Sequence, residues 1–191
     1  MIQFERLIEW YVLEEALREV ALSGCRDNRP VYPYMNASIS LKEVSYAEVK
    51  PTTLYVSRQH LDQQIRVESC LRAVGLDPLN LPGWVVLRDE EIEHRLTPPL
   101  VERFEDIGAY VIDGAHRTYR GLMLGNTTFQ AVYIEGIDPE CPGYALPNEW
   151  NEIVEYDTPP MDPILKKKYR EGDYRSLYRD FGPINGSAMR S

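Results

Sequence analysis

Residues 109–135, AYVIDGAHRTYRGLMLGNTTFQAVYIE, decide the fold. Residues 109–112 are apolar and partly β-branched, which predicts a buried strand. Asp113-Gly114 breaks it, because glycine accepts backbone angles that a side chain forbids. Residues 115–124 then read as a helix with Leu122 and Met123 on its apolar side, and Gly125-Asn126 is a C-terminal stop. Residues 127–134 alternate as a second strand, with Phe129, Ala131 and Tyr133 on one face.

The chemistry of this stretch lies at its turn. A helix that starts just after Gly114 leaves the N–H groups of its first turn without intrahelical partners and places the positive end of its dipole there. Gly114 and Ala115 let an anion approach the backbone, His116 and Arg117 add side-chain donors, and Arg120 lies one turn further on the side of Arg117. The pattern predicts a phosphate cradle. The alternative is a helix capped by Asp113 with solvated arginines. Asp113 is the nearest carboxylate in sequence, and Glu48 or Glu43 can approach from the first strand. Asp113, His116 and Glu48 are therefore the candidate catalytic residues, and Gly114, Ala115, His116, Arg117 and Arg120 the candidate cofactor-binding ones. Mg²⁺ can join through phosphate oxygens and one carboxylate. Phosphoryl transfer depends mainly on positioning and charge stabilisation, so such a cradle can support hydrolysis or a kinase step. His60, His94 and His116 show no metal-ligand spacing, so no protein-held transition metal is expected.

The whole chain of 191 residues suits one domain with extensions, and 43% hydrophobic with 27% charged residues is an ordinary globular composition. No apolar run reaches the length of a membrane span, and the acidic, amphipathic start is unlike a secretory signal, so a cytoplasmic location is expected. Cys25, Cys70 and Cys141 are odd in number and widely spaced, which argues against a disulfide framework or a zinc site. Cys70 reads as core, and Cys141, in a Pro/Gly loop, as a candidate exposed thiol. The net charge of −9 is uneven: residues 161–191 carry seven Lys/Arg against four Asp/Glu, and residues 1–160 carry 14 against 26. An acidic body is a poor surface for nonspecific duplex binding, while the tail offers a local basic patch.

Taken from the start, residues 2–23 have apolar positions at helical spacing and predict one long helix, closed by Ser23-Gly24. It packs either on the domain itself or on another subunit. One or two strands follow in 37–49, then a bend at 51–53, and Ser57 caps a helix that runs to Ala73 or Val74 with Leu61, Ile65, Leu71 and Val74 turned to the core. A strand is predicted at 84–87. In the charged stretch 89–107, Ile92 and Leu96 suggest one helical turn and residues 101–104 another; the segment is either a lid or a solvated excursion. Prolines forbid long regular structure in 136–163, where Tyr144 and Trp150 anchor the loop. Residues 165–181 read as helical in two parts around Gly172, and 182–191 as disordered.

Three separated elements resemble the ParB/sulfiredoxin superfamily, whose members carry a strand, a GxxR turn, a helix, a glycine and a strand in this order. The turn reads GERR in ParB proteins, GGCHR in sulfiredoxins and DGHHR in free-serine kinases; here it is Asp113-Gly114-Ala115-His116-Arg117. Upstream, Val49-Lys50-Pro51 with Arg58 and Leu61-Asp62 is similar to the family's I-x-P…R…L/F segment, and Gly75-Leu76, Pro78 and the strand at 84–87 to its helix–GL–x–P–strand. The resemblance covers residues 38–136. It implies that Arg58, matching an arginine near the nucleotide pocket of ParB-like proteins, joins the cofactor-binding set. The sulfiredoxin cysteine is Ala115 here, and the Pro-His-Glu of the serine kinases aligns with Pro51-Thr52-Thr53, so a kinase would need Glu48 or another residue as base. Neither the E-N-x-x-R motif of the chromosome-partitioning proteins nor a helix-turn-helix is found.

The implied fold is α+β: a small mixed β-sheet with packed helices, ParB/sulfiredoxin-like, with an N-terminal helix and a C-terminal extension. The expected division is 1–36 helix and loop, 37–136 domain with an insertion at 89–107, 137–181 docking extension and 182–191 tail. The expected function is nucleotide binding at the DGAHR turn, with ATP or another NTP and Mg²⁺, as an NTP hydrolase or small-molecule phosphotransferase. The alternatives are a nucleotide-gated protein-interaction module, self-associating through the N-terminal helix, and a ParB-like DNA-binding protein or nuclease that uses the basic tail.

Overall fold

A computed structural model describes residues 2–23 and 29–185. In chain order the elements are β1 (Ile2–Ile8), α1 (Trp10–Arg18), β2 (Ser38–Ser45), β3 (Val49–Pro51), β4 (Tyr55–Ser57), α2 (Arg58–Ala73), β5 (Trp84–Asp89), β6 (Ile92–Leu96), β7 (Leu100–Phe104), β8 (Gly108–Asp113), α3 (Ala115–Met123), β9 (Thr128–Glu135), β10 (Ala145–Leu146), β11 (Val154–Tyr156), β12 (Lys168–Tyr169) and α4 (Gly182–Asn185). A five-stranded mixed sheet, β2-β9-β7-β8-β3, carries the molecule, and a three-stranded antiparallel sheet, β1-β5-β6, stands beside it. The fold is α+β, as the sequence implies.

The segment at 109–135 folds as read: β8, a turn, α3 and β9. β8 and β9 are not neighbours, however. β7 lies between them, antiparallel to β8 and parallel to β9. The stretch 89–107 is thus no lid. Its second half is the middle strand of the main sheet, and its first half pairs with β5 as a hairpin closed by Glu90-Glu91. The helical turns predicted there are strands because each half finds a sheet neighbour, and the paired prolines 98 and 99 carry the chain from one sheet to the other. Pro99 also accepts a hydrogen bond from the Val132 amide at 2.9 Å.

Each face of the main sheet has its own core. On one, Ile39, Leu100, Ile112, Val132 and Ile134 meet Leu13 and Leu17 of α1 and Ile184 of α4. On the other, Val44, Val101, Val111, Phe129, Ala131 and Tyr133 lie under Ala115 and Leu122 of α3. The side of α2 carrying Val67 and Leu71 covers β5 and β6.

The ends depart from the sequence reading. Residues 2–8 form a strand on β5, with a bulge between Phe4 and Arg6, and only 10–18 are helical. Bulged strands mimic helical spacing, because the extra residue breaks the strict alternation. The apolar side of α1 is buried within the chain rather than left for another subunit. On α2, Leu71 is buried as predicted, whereas Ile65 and Val74 are exposed. Cys141 is buried, not an exposed thiol, and Cys25 and Gly24 lie outside the described residues. Residues 163–177 form two 3₁₀ turns and a two-residue strand in place of two helices. Of the tail, 182–185 are helical with Ile184 fully buried, and 186–191 lie outside the described residues. Among the described residues no helix is long and apolar enough to cross a membrane.

Candidate functional site

Gly114 is the joint between β8 and α3. Its φ of +86° is left-handed, a region costly for any residue with a Cβ. A Cβ here would also stand 3.1 Å from Arg117 Nη2 and 3.1 Å from the Pro99 backbone. Glycine is therefore demanded twice over, by conformation and by packing. The helix that follows has no acidic residue in its first turn and no side-chain cap from its N-cap residue. The neighbouring α2 differs: Ser57 Oγ accepts the His60 amide at 3.3 Å, and the Asp157 carbonyl accepts the Gln59 amide at 3.3 Å. The two helix starts meet, because the Ser57 amide donates to His116 Nε2 at 3.3 Å.

His116 is accordingly not the charged donor its place in the motif suggests. Burial, the His60 ring and the Lys167 ammonium lower its pKa to about 4, so the imidazole is neutral at pH 7. Its Nε2 lone pair receives the Ser57 amide, which places the ring proton on Nδ1 and leaves no basic nitrogen free to take a proton from a substrate. His60 Nδ1 lies 3.4 Å away with its ring at a right angle, and Tyr55 meets His116 edge-on. Burial also lowers the His60 pKa and raises that of Tyr55.

Arg117 turns inward. It is 5% exposed, and its Nη2 donates to the Thr97 carbonyl at 2.7 Å. Among the described residues, Nε and Nη1 have no hydrogen-bond partner. Burial lowers its pKa to about 10, against the opposing pull of Asp113, so it stays charged at pH 7. It lines, with Glu68, Arg120 and Asn126, a cavity of about 20 Å³ between α2 and α3, room for one water. Arg120 faces α2 and binds Glu68 at 3.0 Å. Arg58 reaches the rim of the site but pairs there with Glu155 at 3.3 Å and Asp157 at 3.0 Å.

The three candidate catalytic residues do not converge. Asp113 ends β8, half-buried beside the turn. Glu48 precedes β3, which runs parallel to β8 with Val49 opposite Ala109. That register separates Glu48 from Asp113 by five residues of strand, about 16 Å. Among the described residues no group of three or more His, Cys, Asp or Glu is placed to hold a metal.

Several residues near the turn were invisible to a reading by motif. Ser57, His60 and Tyr55 arrive with β4 and α2, and Lys167 arrives from the C-terminal extension. The Lys166-Lys167-Lys168 run holds a signal only in hindsight: Lys168 is exposed and Lys167 is half-buried. A second polar cluster lies deeper. Glu102 of β7 and Arg179 are both fully buried and joined at 2.7 Å. Tyr34 OH also donates to Glu102, and Tyr110 OH does so at 3.3 Å, while Arg179 gives three further protons to the carbonyls of Cys141, Pro142 and Leu177.

No curated protein and no solved structure matches the chain. The central strand–turn–helix–strand, the sheet beneath it and the helix that precedes them nevertheless lie within one recognised unit: the ParB CE domain matches residues 12–154, most of the chain, which therefore belongs to that family.

Proposed function

We propose that this ParB-family chain binds a phosphate-bearing ligand, a nucleotide, at the start of α3. The observation that carries the reading is the contrast between the two helix starts: the Gln59 and His60 amides of α2 have acceptors, whereas the N-cap residue of α3 is a left-handed glycine with no side chain to offer one. The buried Arg117, whose Nη2 backs directly on Gly114, adds a positive charge behind the turn with two N–H groups unsatisfied. Arg58 and Arg120 are engaged with carboxylates and His116 is neutral, so backbone amides hold the anion more than arginine side chains do. Asp113 is the carboxylate that would accompany a nucleotide-borne Mg²⁺. With Glu48 remote and His116 Nε2 in use, binding is favoured over hydrolysis or phosphoryl transfer.

Calorimetry with ATP, CTP and inorganic tripolyphosphate, each with Mg²⁺, tests the reading on the native chain and on Gly114→Ala. Saturable binding is expected, weakened about tenfold or more in the variant as its methyl crowds the turn. Absence of binding to the native chain, or equal binding to both, overturns it. The basic-tail reading is disfavoured by the places its cations occupy: Lys168 pairs with Glu152, Arg170 holds the Gly143 carbonyl and Arg179 is buried.

A further inference from the structure

The C-terminal extension brings a cation to this same turn. The Lys166 carbonyl accepts the Leu54 amide at 2.9 Å, which ties the extension to the chain just before β4. On the next residue, Lys167 Nζ donates to Thr52 Oγ1 at 3.3 Å and to Tyr144 OH at 3.0 Å, and lies 4.9 Å from the centre of the Tyr144 ring. Thr52 in turn donates to the Val111 carbonyl, two residues before Asp113. Among the described residues, all of Lys167's partners are neutral. Hydroxyls and an aromatic face orient an ammonium but leave its charge uncompensated, and a half-buried charge without a counter-ion is an incomplete arrangement. Its field is felt at His116 and at Tyr55, the two rings that wall the turn.

We propose that Lys167 is an anion ligand of the α3 site, exchanging the Thr52 and Tyr144 hydroxyls for the oxygens of a phosphoryl group held at the turn. The inference rests on the reading of that turn as an anion site. It makes the extension part of the site, together with the starts of α2 and α3. The site then needs a residue from outside the β8–α3–β9 unit to bind at full strength.

Pyridoxal 5′-phosphate is the probe. Its aldehyde condenses with a lysine amine, releasing water, and borohydride reduces the imine to a stable secondary amine that peptide mass mapping locates. Labelling is expected to favour Lys167 over Lys42, Lys50, Lys166 and Lys168, and to slow about fivefold or more with inorganic tripolyphosphate present. In calorimetry, Lys167→Gln should weaken tripolyphosphate binding about tenfold, Lys167→Arg less than about threefold and Lys168→Gln less than about twofold. Labelling spread over all lysines without protection overturns the proposal, as does native-like binding by Lys167→Gln; in the latter case the turn remains an anion site. Protection of Lys167 by tripolyphosphate with no nucleotide bound upholds Lys167 and removes the nucleotide. Should Lys167→Gln melt well below the native chain, labelling of the native chain decides.

Discussion

His116 shows what a motif hides about its own residues. The string D-G-x-H-R is legible in one dimension, but the charge of its histidine is set first by burial and then by His60 and Lys167, with the Ser57 amide on its Nε2, and none of these residues is near it in sequence. With a folded pKa of about 4 against 6.5, the unfolded chain takes up a proton between those values that the folded chain refuses. Stability therefore falls as pH drops from about 6.5 toward 4 and is independent of this group above that window. The full loss is about 3 kcal/mol. Urea midpoints measured at pH 7.5, 6 and 5 should fall more steeply for the native chain than for His116→Gln, with His60 adding a change of the same sign. Equal slopes would mean that the ring is solvated. Arg117 was legible as a cation at the turn and illegible as a buried one, because the Thr97 carbonyl that receives it lies 20 residues away.

Among the elements, those made by local contacts were readable. β8, α3 and β9 follow from apolar runs punctuated by Gly114 and Gly125, and α2 from its Ser57 cap and Gly75 stop. β1, β6 and β7 were not, because their partners are remote and their sequences carry misleading cues. β7 holds Glu102, whose charge argues against a central strand until Arg179 is known to meet it. The β5–β6 hairpin lacks the Asn or Gly that would have announced it, and Glu90 takes a φ of +56° instead. A left-handed glutamate costs about 1 kcal/mol, so Glu90→Gly should raise the urea midpoint by an amount equivalent to about 0.5–1 kcal/mol. A lowered midpoint would show that the Glu90 side chain makes a compensating contact. Anion binding at the β8–α3 turn, which belongs to the other sheet, should be unaffected.

Across the molecule, the link between Glu102 and Arg179 binds the C-terminal extension into the middle of the main sheet. Burial opposes the charge on Arg179, yet the Glu102 carboxylate and Tyr34 raise its pKa above the ordinary value, and the same carboxylate together with burial raises that of Tyr110. Removing one partner strands the other in a dry core. Arg179→Met should cost about 3–5 kcal/mol, and Glu102→Gln combined with it should recover part of that loss, as read from chemical denaturation. Equal stability of the single and double variants would show that water reaches the cluster. The same pair also places a clock on biosynthesis. Seventy-seven residues separate glutamate from arginine, so at ~5–20 residues per second the ribosome releases the carboxylate roughly 4–15 s before its counter-ion exists. Until then the middle strand has only the Tyr34 and Tyr110 hydroxyls to meet its carboxylate, and burying it is costlier than in the finished chain. The main sheet is thereby expected to close more stably once the extension has been made, so chains arrested before residue 179 should be cleaved by protease faster than chains arrested well after it.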